Sequence, residues 1–290
     1  MADPLMEPLL EELRGLIASG SRHAIHDRLA RHHPSDLADL LAALDEEERR
    51  HVLLALTPTP ALAAEALAEM EWEEHPEDAL AALDPAEIAR FVSQLSDDDA
   101  ADIIGELDAD DQERILGALP LLEARDLRDL LRYHEESAGG LMTTELVAVD
   151  ERLSAAEANE EVRRQAQEVG EFYSVFVIDP DRHLRGTVSL QALVTAAPGQ
   201  RIRDLAEPVH ITVSAETDQE EVGRLLSRYN LVAVPVVDSA GRLLGRITFD
   251  DVIDVLEAET TEDILRFGGT SDEEELRGDW LGAVRSRFPW

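Results

Sequence analysis

Carboxylates supply most of the chemistry that this chain can offer. Asp98 and Asp102 stand four residues apart, so a helix presents both on one face, with Asp99 beside them in its first turn. Asp250 and Asp251 open a later helical pattern, and Glu257, Glu259, Glu262 and Asp263 stud its continuation. Oxygen donors of this kind suit hard cations. Other chemistries lack their residues. Cysteine is absent, which excludes disulfides and thiolate metal sites. His23 and His26 are three apart, but no cysteine or acid pair completes a zinc set around them. His33 precedes Pro34 and reads as a helix start. There is no glycine-rich phosphate loop, nucleophile elbow or histidine–acid constellation with catalytic spacing, so an enzyme is not expected.

Composition narrows the partners. Of 290 residues, 63 are acidic and 26 basic, a formal charge of −37, and every base is arginine. Such a surface repels phosphate backbones, so nucleic acid is not an expected partner, whereas cations or a basic partner suit it. Hydrophobic residues make up 44%, enough for real cores, and the length suggests about two domains. No apolar run approaches the ~18–20 residues of a membrane span, and the first residues are acidic where a signal peptide is basic. The expectation is a soluble chain.

These residues must be positioned by two kinds of architecture. Residues 1–132 are predicted to be all helical. Leu83-Asp84, Leu95-Ser96 and Leu107-Asp108 recur, each starting with a capping residue and carrying an acid three positions on: Glu87, Asp99 and Asp111. Apolar residues follow at helical spacing, as in Ala100, Ile103, Ile104 and Leu107. Helices of about two turns joined by tight turns stack into a superhelical solenoid. After Tyr133 the pattern changes to two copies of a small α/β unit. In the first, a helix is predicted over 157–168, strands over 173–178 and 184–189, and a helix from Leu190. In the second, the helix covers 219–228, the strands 231–237 and 243–248, and a helix starts at Asp250. The apolar run Val-Ala-Val-Pro-Val-Val suits a strand buried on both faces. The fold class is therefore all-α followed by tandem α/β, and the last helix runs on into an acidic tail.

The second copy, with Leu244-Gly245-Arg246-Ile247-Thr248-Phe249-Asp250-Asp251, and the first, entered at Met142-Thr143-Thr144, resemble paired CBS domains. The chain as a whole resembles the cytosolic half of the MgtE family of magnesium transporters. The likeness rests on His33-Pro34-Ser35-Asp36-Leu37, residues 95–99, residues 137–143, residues 217–222 and residues 260–264, in one order with little insertion. It implies a superhelical amino-terminal domain over 1–132 and CBS domains over 137–198 and 205–258. It also implies a connecting plug helix over 259–290, which leads to a membrane pore beyond this chain. Arg287-Phe288-Pro289-Trp290 reads as a cut just before that pore, since Arg and Trp favour membrane interfaces.

The same resemblance implies Mg2+ as ligand, an octahedral ion that keeps several waters and needs one or two carboxylates. Asp98 and Asp102 match acids that face the CBS pair, and Asp251 matches an acid across that interface. Glu65 matches a further amino-domain acid, and Gly140 a position offering its carbonyl. Asp218 and Glu220 match acids on the second CBS unit; Glu259, Glu262 and Asp263 match acids on the plug helix. Asn230 stands where the family tends to have Asp, which removes a charge. CBS pairs also hold adenine nucleotides, and an Asp three residues after Ser or Thr takes the ribose hydroxyls. Thr248 and Asp251 keep that spacing; Ser189 is followed by Ala192 instead, which argues against a nucleotide in the first copy. The expected function is a cytosolic Mg2+ sensor at the membrane's cytoplasmic face, a homodimer through its CBS domains that acts on its own pore. The alternatives are an adenine-nucleotide-sensing CBS module and a solenoid scaffold for protein partners.

Overall fold

The computed structural model describes residues 6–70, 80, 83–167, 169, 172–253 and 255. It divides into two units, residues 1–133 and 134–290.

The first unit is built from short, strongly capped helices. They are α1 (Met6–Ala18), α2 (Arg22–Leu29), α3 (Pro34–Ala42), α4 (Glu46–Leu56), α5 (Pro60–Ala68), α6 (Pro85–Val92), α7 (Asp97–Gly105), α8 (Ala109–Leu116) and α9 (Leu121–Leu130). Asp45 with Glu48 and Asp84 with Glu87 form reciprocal capping boxes, and the side chains of Ser96 and Asp108 accept first-turn N–H groups. His33 caps α3, its Nδ1 accepting the Ser35 N–H at 3.3 Å, with Pro34 in the first turn. Helices this short are marginal alone, so packing must hold them. Next-but-one neighbours pack together, α2 on α4, α3 on α5, α6 on α8 and α7 on α9, while α1 rests on α2 and α4. That pattern is what the repeat predicts. The core is aliphatic, with Leu29, Leu40, Leu41, Leu53, Leu56, Leu67 and Ile104 almost fully buried together with the aromatic Phe91.

The second unit holds two three-stranded mixed sheets. In the first, β1 (Ala148–Asp150) runs parallel to β2 (Ser174–Ile178), which pairs antiparallel with β3 (Leu184–Ser189). Helices α10 (Ala155–Gln165) and α11 (Leu190–Thr195) complete that copy. In the second, β4 (Val213–Ser214), β5 (Ala233–Val237) and β6 (Leu243–Thr248) repeat the order, with α12 (Gln219–Tyr229) between β4 and β5. A helix follows β6 from Phe249. The central strands β2 and β5 are buried through their middle three residues, while β6 alternates. The sequence reading missed β1 and β4. With only three and two residues they show no periodicity, and the parallel partner alone makes them strands. It also began β2 and β5 too early: Tyr173, Leu231 and Val232 lie outside the ladders, and α10 starts at Ala155 rather than Glu157.

The copies are bound by exchange. Thr143, ahead of the first copy, pairs with Arg246 on β6 of the second, and Glu207, ahead of the second, pairs with Thr187 on β3 of the first. Likewise Ser137 bridges to Asp218, and Arg201 to Ser154. The two hairpin turns also meet: the Leu184 N–H donates to the Gly241 carbonyl at 3.0 Å and the Leu243 N–H to the Arg182 carbonyl at 2.9 Å. Arg182 holds φ +67° where its mate is Gly241 at +81°, so a non-glycine residue occupies left-handed backbone.

Close approach explains two glycines. A Cβ on Gly245 would lie 2.6 Å from the Thr143 carbonyl oxygen, and one on Gly186 would lie 2.6 Å from that of Glu207. Gly245→Ala is therefore expected to cost about 1–3 kcal/mol in urea unfolding. Gly199→Ala, at a position with open space around it, should stay within about 0.5 kcal/mol of the wild type. Equal midpoints for the two variants would contradict the crossing.

Candidate functional site

In the helical unit, Asp98 and Asp102 both project from α7 one turn apart, and Asp98 is only 8% exposed. Asp98 lies in the first turn, where the helix dipole favours an anion. Asp99 has local work: its carboxylate accepts the Ser96 hydroxyl at 2.6 Å. Glu65 is exposed on α5, a helix that packs against α7.

In the α/β unit, Gly140 and Asp218 are drawn to one neighbourhood by the exchanged segment. The Ala138 N–H donates to the Thr217 carbonyl at 2.7 Å and the Gly139 N–H to that of Ala215 at 2.8 Å. Gly140 sits in a tight turn, where a Cβ would meet the Glu135 carbonyl oxygen at 2.5 Å. Asp218 caps α12, accepting the Glu220 N–H at 3.0 Å, and Glu220 pairs with Arg224. Asn230 is elsewhere. It ends α12 in the left-handed region at φ 50°, ψ 47°, about 18 Å along the helix from Asp218. Asn tolerates that conformation well, which accounts for an amide at this position.

Asp251 is a predicted residue whose carboxyl is shifted by its surroundings. Its carboxylate accepts the Thr248 hydroxyl at 2.6 Å and the Thr248 N–H at 3.1 Å, closing the start of the last described helix. Burial pushes its carboxyl above the ordinary aspartate value, the Thr248 contacts only partly offset this, and the neighbouring charge of Asp250 adds to it. In the first copy Ser189 still caps its helix, accepting the Ala192 N–H at 3.1 Å, but Ala192 brings no carboxylate. Glu259, Glu262, Asp263 and the plug helix lie outside the described residues.

Sequence reading also passed over one group. Asp179, Asp181 and His183 bring ligand atoms within 4.8 Å of one another, a spacing legible as acids and histidine at alternate positions of one turn. The Asp179 carboxylate is engaged already. It accepts the Asp181 and His183 N–H groups at 2.9 Å each, the Arg185 guanidinium at 2.6 Å and the His183 imidazole at 3.0 Å. Desolvation raises its carboxyl, but those bonds prevail and hold it at about 2. The equivalent turn in the second copy is locked the same way, with Asp238 accepting the Ala240 and Arg242 N–H groups at 2.9 and 2.8 Å. Arg242 there replaces the histidine, so the shared role is to lock the turn.

A profile of the MgtE intracellular N domain matches residues 32–136, and a CBS-domain profile matches 138–199 and 202–258. A solved cytosolic domain of the Mg2+ channel MgtE in complex with ATP is 36% identical, with TM-score 0.78 over 85% of this chain and 99% of that one. The chain belongs to the MgtE family. It corresponds to the family's cytosolic regulatory region, and the soluble part of a magnesium transporter matches it similarly, at 30% identity and TM-score 0.75 over 88% of this chain and 99% of that one. The magnesium transporter MgtE of Thermus thermophilus is 38% identical across 96% of this chain. This chain spans 63% of that MgtE protein's length. No helix among the described residues is long and apolar enough to cross a membrane.

Asp179 and Asp251 give opposite pH signatures. Asp179, held at about 2 against an ordinary 3.8, contributes stability above pH 4 that is lost as pH falls toward 2. Asp251, raised by burial, costs stability as pH rises through its folded value. With chelator present, the melting temperature of Asp251→Asn minus that of wild type should therefore rise between pH 3 and pH 8. For Asp179→Asn it should fall over the same range. Thermal melts at several pH values check both signs.

Proposed function

We propose that this chain is the Mg2+-sensing region of a magnesium transporter or channel, in which Mg2+ bridges acidic faces, selects a compact homodimer and favours a closed pore. The observation that carries the reading is the burial of carboxylates in a chain of charge −37: Asp98 is nine-tenths buried and Asp251 is pushed up by desolvation. A divalent cation removes the penalty for holding such groups charged. The donors are carboxylate, amide and carbonyl oxygens, which is the set that Mg2+ takes. On this reading Glu65, Asp98 and Asp102 serve from the helical domain over 1–132. Gly140, Asp218, Glu220, Asn230 and Asp251 serve from the CBS domains over 137–198 and 205–258, and Glu259, Glu262 and Asp263 from the plug segment over 259–290.

The mechanism is electrostatic. Without Mg2+, like charges oppose approach of the acidic faces; with it, the compact state alone gains binding energy and its population rises. Exposed apolar residues support self-association of the CBS pair: Tyr173 and Val194 in the first copy, and Val232, Phe249 and Ile253 in the second. The pore of the whole protein is the remaining partner and sets this region at the cytoplasmic face of the membrane. ATP is a second proposed ligand at Thr248 and Asp251. The relative solved with ATP supports it, as does the oxygen-rich helix start that the two residues build.

Small-angle scattering tests the proposal. The radius of gyration should fall as Mg2+ reaches millimolar levels, and the midpoint should move at least about fivefold higher in Asp98→Asn and Asp251→Asn, the loss of about 1 kcal/mol per site. An unchanged radius in wild type would sink the Mg2+-sensing reading. Calorimetric ATP binding without any such compaction would favour a nucleotide-sensing module instead.

A further inference from the structure

The segment 136–145 opens the α/β unit, and its connections are unexpected. In sequence it leads into the first copy. Its backbone bonds, however, go to the second. The Glu136 carbonyl accepts the Gln219 N–H at 3.0 Å, at the start of α12. Ala138 and Gly139 donate to Thr217 and Ala215 in the loop between β4 and α12. Thr143 and Arg246 exchange both backbone bonds at 2.9 Å each, and the Arg246 Nε donates to the Glu145 carbonyl at 3.0 Å. Gly245 lets these two backbones close, since any Cβ there would collide with the Thr143 carbonyl.

Arg246 lies two residues before Thr248, whose side chain and N–H are held by Asp251 at the start of the helix that follows β6, here the exit helix. The chain path from strap to exit helix is therefore one strand, β6. The first sheet is tied to a different segment: Thr187 and Glu207 exchange their own bonds at 2.9 Å each, and the Arg203 N–H donates to the Glu151 carbonyl at 3.1 Å.

We infer that residues 136–145 form a strap whose backbone bonds tie the start of α12 and β6 of the second copy to one segment, so that strap, β6 and the Thr248–Asp251 helix start open as a unit. A displacement of the strap then moves α12, β6 and the Thr248–Asp251 helix start together. The first sheet meets β6 at the hairpin turns, through the Leu243 and Leu184 bonds, and is held along β3 by the Glu207 segment. The consequence for a pore rests on the sensor reading above, but the coupling itself does not.

Hydrogen exchange on the full chain in chelator tests it, with no dependence on Mg2+ or transport. Thr143→Pro removes the N–H that donates to Arg246. It should speed exchange at least about tenfold at the Arg246 amide and across β6 and the start of the exit helix, while β2 and β3 keep wild-type protection. Glu207→Pro removes the mate bond to Thr187 and should do the reverse, deprotecting β3 and sparing β6. Gly245→Ala, which parts the same crossing and leaves every donor in place, should follow the Thr143→Pro pattern. If the proline variants do not fold, wild-type exchange in mild denaturant decides: Thr143 and Arg246 should open together with the exit helix, separately from β2 and β3. Deprotection shared equally by both sheets, or confined to the Arg246 amide, overturns the strap. Failure of compaction in scattering with this exchange pattern intact would overturn the sensor reading alone.

Discussion

Two backbone crossings organise the α/β half of this protein. At each, an edge strand passes so near a segment from the other copy that a side chain beyond hydrogen cannot fit, and Gly245 and Gly186 stand at those points. Each crossing satisfies a pair of backbone groups that an edge strand otherwise exposes. Each also binds together parts of the chain far apart in sequence. Neither copy is complete without a segment that precedes its mate, so the pair is a single structural object built from two similar halves. The paired hairpin turns, with Arg182 held in left-handed backbone against Leu243, repeat the same logic at the opposite ends of the strands.

Within this framework the carboxylates divide by task. Many secure local structure: Asp45, Asp84 and Asp108 cap helices, Asp218 caps α12, and Asp179 and Asp238 lock turns. These groups are satisfied by N–H donors, which is why Asp179 and Asp238 lie below the ordinary carboxylate range. Asp251 differs. It accepts two bonds from Thr248, yet burial still outweighs them and raises it. A carboxylate that local bonding fails to compensate is where an added cation has most to offer. That difference, more than the count of acids, separates a candidate ion ligand from a cap.

Much was legible in the sequence. Capping residues with acids three positions on marked the helix starts of the first unit, because a cap works within one turn and needs no distant partner. The longer strands were found because five or six apolar or alternating residues carry their own period. The family likeness located the candidate ligands, and the comparisons bear out the family itself. The short strands β1 and β4 were not legible, since two or three residues hold no pattern.

The helical stack, the doubled α/β unit and the acidic character could all be read without coordinates, since they rest on local spacing and composition. That the segment before the first copy belongs to the second emerged in three dimensions alone, because backbone pairing across an edge leaves no side-chain signature beyond one glycine. The folded chain also decided which carboxyls are raised and which are lowered. Asp218, Asp179 and Asp251 are the same residue in sequence. Only burial and the number of donors around each carboxylate make one a cap, one a turn lock and one a carboxyl raised by burial.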